Sequence, residues 1–200
     1  MQLVVAVGRY GYNRGMTANL TNQFLIAMPG LMDPNFYQTV TYICAHNEEG
    51  AMGIVINRPL NFVLGEVLTQ MDLSSTSKQI NELPVYHGGP VQTDRGFVLH
   101  NMLVNWESSI RVSDHISVTT SRDILESIAE GKGPDKSLIA LGYAGWAAGQ
   151  LEQEIRENVW LNGPSESDII FNTPFDKRWE KSAELLGVNL GSISSDVGHA

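Results

Sequence analysis

Apolar positions along this chain recur with two different periods, and the change from one to the other marks out its elements. Residues 24–28 form a short apolar run stopped by Pro29-Gly30, which predicts a buried strand. Residues 39–45 and 51–57 are rich in β-branched and aromatic side chains. Asn47-Glu-Glu-Gly50 separates them, so the pair predicts a hairpin with a glycine-containing loop. Residues 62–71 switch to helical spacing through Val63, Val67 and Leu68. The polar stretch 74–82 reads as a loop, followed by strands over Pro84–His87, 96–100 and 116–119.

The second half is more helical. Ser121 stands as an N-cap before 122–130, whose Ile124, Leu125 and Ile128 share one face, and Gly131 and Gly133 end the helix. A strand over 137–141 leads into a tight loop at 142–145 and then a helix over 147–158. The apolar run 169–171 predicts a last strand, and 179–186 a last helix closed by Gly187. The tail from 188 reads as extended over the surface. Strands come mostly first and in pairs, helices later, so the fold class is α+β (mixed α/β) around one sheet. Residues 1–18 match none of this patterning and read either as an N-terminal extension, which can be disordered, or as an ordinary extra strand. The domain then spans 19–200.

Composition sets limits on function. Two hundred residues suit one domain with a real core. No apolar run approaches the length of a membrane span, and the apolar start lacks the basic flank of a signal peptide, so a cytoplasmic location is the default. Net charge is -9, with no Lys/Arg cluster beyond Lys177-Arg178, an expected exposed pair. Phosphate backbones are bound through clustered positive charge, so direct nucleic-acid binding is disfavoured. The single cysteine excludes an internal disulfide. The histidines show no metal-ligand spacing, and no nucleotide or dinucleotide fingerprint occurs, so neither a metal nor a cofactor is expected.

Candidate chemistry lies in a few places. Cys44 and His46 are two apart on an expected strand, where alternation places both on one face. A thiol beside an imidazole can become a nucleophile or redox sensor, while a small buried hydrophobe is the commoner use of free Cys. His87 precedes Gly88-Gly89, whose amides could cradle an anion, or simply turn the chain. Gly142 and Gly145 bound the expected loop before a helix N-terminus, with Trp146 partly exposed beside it. Ala144 stands where a nucleophile elbow needs Ser. Gln150, Glu154 and Glu157 share one helix face; the first two lie nearer the loop and are kept as ligand-binding candidates. Arg58 and Arg95 are candidates for bidentate contact with an anion, or for holding Glu66 or Asp94.

Several spaced motifs carry a resemblance. They are Phe24-Leu-Ile-Ala-Met-Pro-Gly, Phe36, Thr39-Val-Thr-Tyr-Ile-Cys-Ala-His, Gly50-Ala-Met-Gly-Ile-Val-Ile-Asn-Arg-Pro and Gly88-Gly-Pro-Val. Phe97-Val-Leu-His, Gly142-Tyr-Ala-Gly-Trp-x-x-Gly-Gln-Leu-Glu, Asn158-x-Trp-Leu, the Trp179 helix and Gly198-His-Ala continue the series. From about residue 20 onward the chain resembles the YqgE/AlgH family of small bacterial proteins. The resemblance implies a strongly curved mixed sheet flanked by helices. It implies no settled activity, although members are commonly labelled transcriptional regulators and one branch is named for a link to alginate production.

The resulting expectation is a regulatory protein that binds a small ligand or a protein partner. Arg58, Gly88, Gly89, Arg95, Gly142, Gly145, Trp146, Gln150 and Glu154 would supply the site if they converge. A thiol-dependent enzyme or redox sensor, with Cys44 as nucleophile and His46 or His87 as base, is the alternative. A DNA-binding regulator rests on the family label alone.

Overall fold

A computed structural model describes residues 19–101 and 106–190. Strands β1 (Gln23–Ala27), β2 (Val40–Asn47), β3 (Gly50–Val55) and β4 (Pro59–Val63) lead into helices α1 (Leu64–Gln70) and α2 (Lys78–Asn81). Strands β5 (Pro84–His87), β6 (Val91–His100), β7 (Ser109–Arg111) and β8 (Ser117–Thr119) follow, then α3 (Arg122–Ala129). The chain continues through β9 (Ser137–Ala147), α4 (Gln150–Arg156), β10 (Trp160–Pro164), α5 (Ser167–Phe171) and α6 (Arg178–Glu184). The expected N-terminal extension lies outside the described residues, as does the tail beyond Leu190. No helix among the described residues is long and apolar enough to cross a membrane.

The strands form one curled sheet in the order β10-β1-β2-β3-β9-β6-β8-β7, with β4 and β5 branching from it. All pairings are antiparallel except β5 with β9. The fold is therefore α+β with a mixed sheet, as the sequence predicts.

Strand β9 is the hub. Its first half pairs with β6 and β5, and its second half, Ala144–Ala147, pairs with β3. Gly142 sits at the change of partner with φ +74. This bulge resets the alternation of side chains. Leu138, Ala140 and Tyr143 pack on the inner face, while Ala144 and Trp146 pack on the outer one. The expected loop at 142–145 is thus mid-strand, and the helix begins only at Gln150. A run of Gly and Ala looks like a loop by composition, but here small residues let strands cross closely.

Helices cover both faces. On the inner face α5 and α6 deliver Ile169, Ile170 and Ala183 onto Phe24, Tyr42, Ile54 and Leu99. On the outer face α1 and α3 deliver Leu64, Leu68, Ile124 and Ile128 onto Val85, Val98 and Ile139. Farther along that face α4 places Leu151 against Leu25, Ile43, Trp146 and Trp160. Each fully buried side chain of this size contributes ~1.5–3 kcal/mol, so these three clusters carry the fold.

Four further expectations need correction. Residues 169–171 are helical, because α5 starts at Ser167 and turns two adjacent isoleucines into the core; a short apolar run does not by itself distinguish helix from strand. The expected polar loop at 74–82 contains α2, capped by Ser77, whose Oγ accepts from the Ile80 amide. Strands β4, β7 and β10 had no clear signal: two hold a Pro, and the third has only three residues. Arg178 is buried rather than exposed. Its Nε donates to the Thr173 carbonyl at 2.9 Å and its Nη1 to the Ile56 carbonyl. The guanidinium also lies 5.1 Å from the Tyr86 ring centroid.

Candidate functional site

The curled sheet leaves an open mouth on its inner face, a cavity of about 650 Å³. Met52 of β3, Phe97 of β6, Val118 of β8 and Tyr143 of β9 form its apolar wall. Ile110 of the edge strand β7 stands on the rim, 53% exposed. The β2–β3 turn borders the far side through Asn47 and Glu49.

Strand β6 supplies the charge. Its register with β9 jumps from Val91↔Tyr143 to Gly96↔Leu141, so residues 92–95 bulge outward. Gln92 takes φ +47 in this bulge. Arg95 emerges from it, with Nη2 donating to Thr120 Oγ1 at 3.2 Å and Nη1 to Gln92 Oε1 at 3.4 Å. Its guanidinium lies 5.7 Å from the Phe97 ring centroid. No carboxylate among the described residues pairs with it. An arginine held by neutral partners, stacked on an aromatic ring at an apolar cavity, suits an anionic group attached to an apolar body.

Gly145 and Trp146 border the same mouth. The Trp146 ring, however, is not the partly exposed wall expected of it. It is 6% exposed and packs on the outer face with Phe36 and Trp160. Glu154 Oε2 accepts from the Trp146 and Trp160 indole N–H groups at 2.9 and 2.8 Å. Its Oε1 accepts from Gln150 Nε2 at 2.9 Å, and Gln150 Oε1 accepts from the Ala147 amide. Gln150 and Glu154 therefore tie α4 to the aromatic cluster, and every one of these partners belongs to the chain itself.

The paired glycines also serve the strand crossing. Gly88 donates its amide to the Leu141 carbonyl at 2.8 Å and accepts from Val55. A Cβ on Gly88 would lie 2.3 Å from Gly142 O, and one on Gly89, at φ +150, 2.2 Å from the Tyr143 carbonyl carbon. These glycines let β5 and β9 cross in contact, and the Gly88 amide is not free to hold an oxyanion. His87 and Arg58 lie together at the start of that crossing, with the His87 amide donating to the Arg58 carbonyl at 2.7 Å. Partial burial and the Arg58 charge both hold the His87 pKa below its ordinary value of 6.5. The Arg58 side chain donates to the Tyr37 carbonyl and borders a separate cleft beside Trp179. It has no part in the mouth, and neither Glu66 nor any other carboxylate pairs with it among the described residues.

Cys44 and His46 do not share a face. Register shifts between Ile43 and Ala45, so Cys44 sits in a bulge. Tyr42 pairs with Ile54 and Ala45 with Met52, one side of the sheet; Ile43 pairs with Gly53 and His46 with Ala51, the other. Cys44 joins the inner core, 3% exposed, and burial pushes its thiol up to about 12. His46 Nδ1 accepts from the Leu20 amide at 3.0 Å, so Nε2 carries the proton and donates to Glu152 Oε1 at 2.9 Å. The imidazole links β2, α4 and the segment before β1, and the thiol has no base in His46.

Fold and site together define a small α+β protein with a half-open sheet and an apolar mouth with Arg95 on one side and Glu49 on the far side. The AlgH-like (DUF179) family matches residues 24–191, and the chain belongs to that family. A UPF0301 protein of Thioalkalivibrio sulfidiphilus is 61% identical over 92% of this chain and 98% of its own length. One from Hahella chejuensis is 54% identical over 92% and 97%. The solution structure of the AlgH protein from Pseudomonas aeruginosa is similar with a TM-score of 0.76 and 47% identity, covering 94% of this chain and all (100%) of that one. A Corynebacterium diphtheriae protein, DIP2367, shares the fold at a TM-score of 0.67 and 19% identity, covering 87% of this chain and 90% of its own. These names describe a bacterial family, not a reaction.

Proposed function

We propose that this protein is a ligand-responsive regulatory protein whose binding site is the mouth of the curled sheet. The ligand is a small molecule with an aromatic or aliphatic body and one carboxylate, phosphate or sulfonate group. The observation that carries this reading is Arg95: without a carboxylate partner, oriented by Thr120 and Gln92, and stacked over Phe97 at the edge of an apolar cavity. The body would lie against Met52, Phe97, Val118 and Tyr143, and the anion would take the guanidinium hydrogens. The net charge of -9 favours this over direct contact with DNA, and makes a transcriptional role one exerted through a partner. The thiol reading loses support from the placement of Cys44 and His46 on opposite faces.

The test uses anilinonaphthalene sulfonate, an aromatic anion, titrated into the folded chain. Saturable binding that weakens with salt is expected. Arg95→Gln should weaken it about tenfold or more, since a hydrogen bond to a charged group is worth ~1.5–3 kcal/mol. No saturable binding, or equal binding by Arg95→Gln, would reject the proposal.

A further inference from the structure

A second cavity, of about 490 Å³, lies on the opposite face of β6 and β8 from the mouth. Alternation along β6 explains the division. Arg95 and Phe97 border the mouth, whereas Asp94, Gly96 and Val98 border this cavity. Its walls are Phe62 and Val67 from the β4–α1 segment, Leu125 from α3, and Val98, Ile139 and Leu141 from the sheet.

Gly96 is the feature that turns this space into a site. The other glycines at the strand crossing are required by contact or by backbone angle, but Gly96 is not. Its φ is not positive, and a Cβ built there meets nothing within 4 Å. Glycine in a strand interior weakens the strand, because it gives up backbone entropy and packs no side chain. A strand glycine that faces an open apolar cavity, with no steric reason to be glycine, leaves room for something else to approach the backbone.

Charge at the rim selects the occupant. Arg122 at the rim is already paired with Glu126 at 2.8 Å. Asp94 is exposed and its carboxylate has no ion pair among the described residues, so it is the unpaired acidic charge at the opening. We infer that the cavity over Gly96 is a binding site for a small apolar amine, its hydrocarbon body over Gly96 and its ammonium at Asp94. This inference stands apart from the reading of the mouth, which prefers the opposite charge.

The experiment compares n-octylammonium with octanoate, each titrated into the full chain by calorimetry and followed by amide NMR shifts. Octylammonium should bind with one-to-one saturation and move the amides of Gly96, Val98 and Leu125; octanoate should not move them. Gly96→Val fills the floor of the cavity with a residue that strands favour, so it should keep the fold and lose about tenfold or more in affinity. Asp94→Asn should lose about fivefold or more for the amine, whereas Arg95→Gln should change nothing at this site. The inference is overturned if octylammonium does not bind, if folded Gly96→Val binds it as well as the parent chain, or if octanoate moves the same amides as strongly. Failure of the sulfonate titration at the mouth would leave these outcomes unaffected.

Discussion

Glu154 offers the sharpest test of how the outer face is held. Its carboxylate accepts from two indoles, Trp146 and Trp160, which are 6% and 3% exposed. Glu154→Ala leaves both donors without their partner. A hydrogen bond to a charged acceptor is worth ~1.5–3 kcal/mol, so full loss of both would cost about 3–6 kcal/mol. The carboxylate itself is half-buried, and the truncated side chain leaves room for water to reach the indoles. That compensation brings the expected loss to about 2–4 kcal/mol. For a chain of this size it corresponds to a fall in Tm of about 4–16 °C. Glu154→Gln should lose less, about 1–2 kcal/mol, because its carbonyl can still accept while its amide faces the amide of Gln150. Urea unfolding followed by far-UV circular dichroism measures both, and avoids the tryptophan signal that the substitution alters directly. A Glu154→Ala chain within about 0.5 kcal/mol of the parent would refute the argument, since surface substitutions stay in that range.

Three further outcomes follow from the same geometry. Gly89→Ala, whose Cβ would meet β9 backbone at 2.2 Å, should lose about 3 kcal/mol or more, whereas Gly187→Ala, at φ +69 in open space, should lose only about 1 kcal/mol by the same denaturation assay. The Cys44 thiol should react with a disulfide reagent only as fast as the chain opens, with no native thiolate reaction below its raised pKa of about 12, and unfolding in urea should release it at once. His87 titrates below 6.5, so the folded state binds its proton less readily than the unfolded state. Its contribution to stability is therefore complete above pH 6.5 and is lost as pH falls through the folded value. NMR titration of the imidazole should show this lowered midpoint, moving part of the way back up in Arg58→Gln because the burial remains; an unshifted midpoint in the parent chain would contradict it.

Much of the fold was legible because local sequence carries period. The hairpin of β2 and β3, the helix at Arg122–Ala129 and the glycine end of the last helix all follow from alternation, helical spacing and turn chemistry read over about ten residues. The family could also be read from the chain, since its spaced motifs do not depend on how they fold. Of the candidate site residues the sequence offers, Arg95 and Gly145 border one cavity, while Arg58, the Gly88-Gly89 pair, Gln150 and Glu154 go elsewhere. Asp94 enters the sequence reading only as a possible partner for an arginine, and Gly96 not as a candidate at all. The signal for Gly96 was only a glycine inside a strand pattern, and its meaning depends on what lies above it.

What the tertiary structure alone decided is parity and company. A one-residue bulge sends Cys44 and His46 to opposite faces, although their spacing in sequence puts them on the same one. Another at Gly142 carries β9 from one set of partners to the next and turns an apparent loop into the hub of the sheet. Arg178 is buried because Ile56 and Thr173 carbonyls, far from each other in the chain, meet it. The sequence determines the period of each segment through local sterics and the burial of apolar side chains. Which face a residue finally presents depends on long-range pairing, where one extra residue reverses every side chain after it.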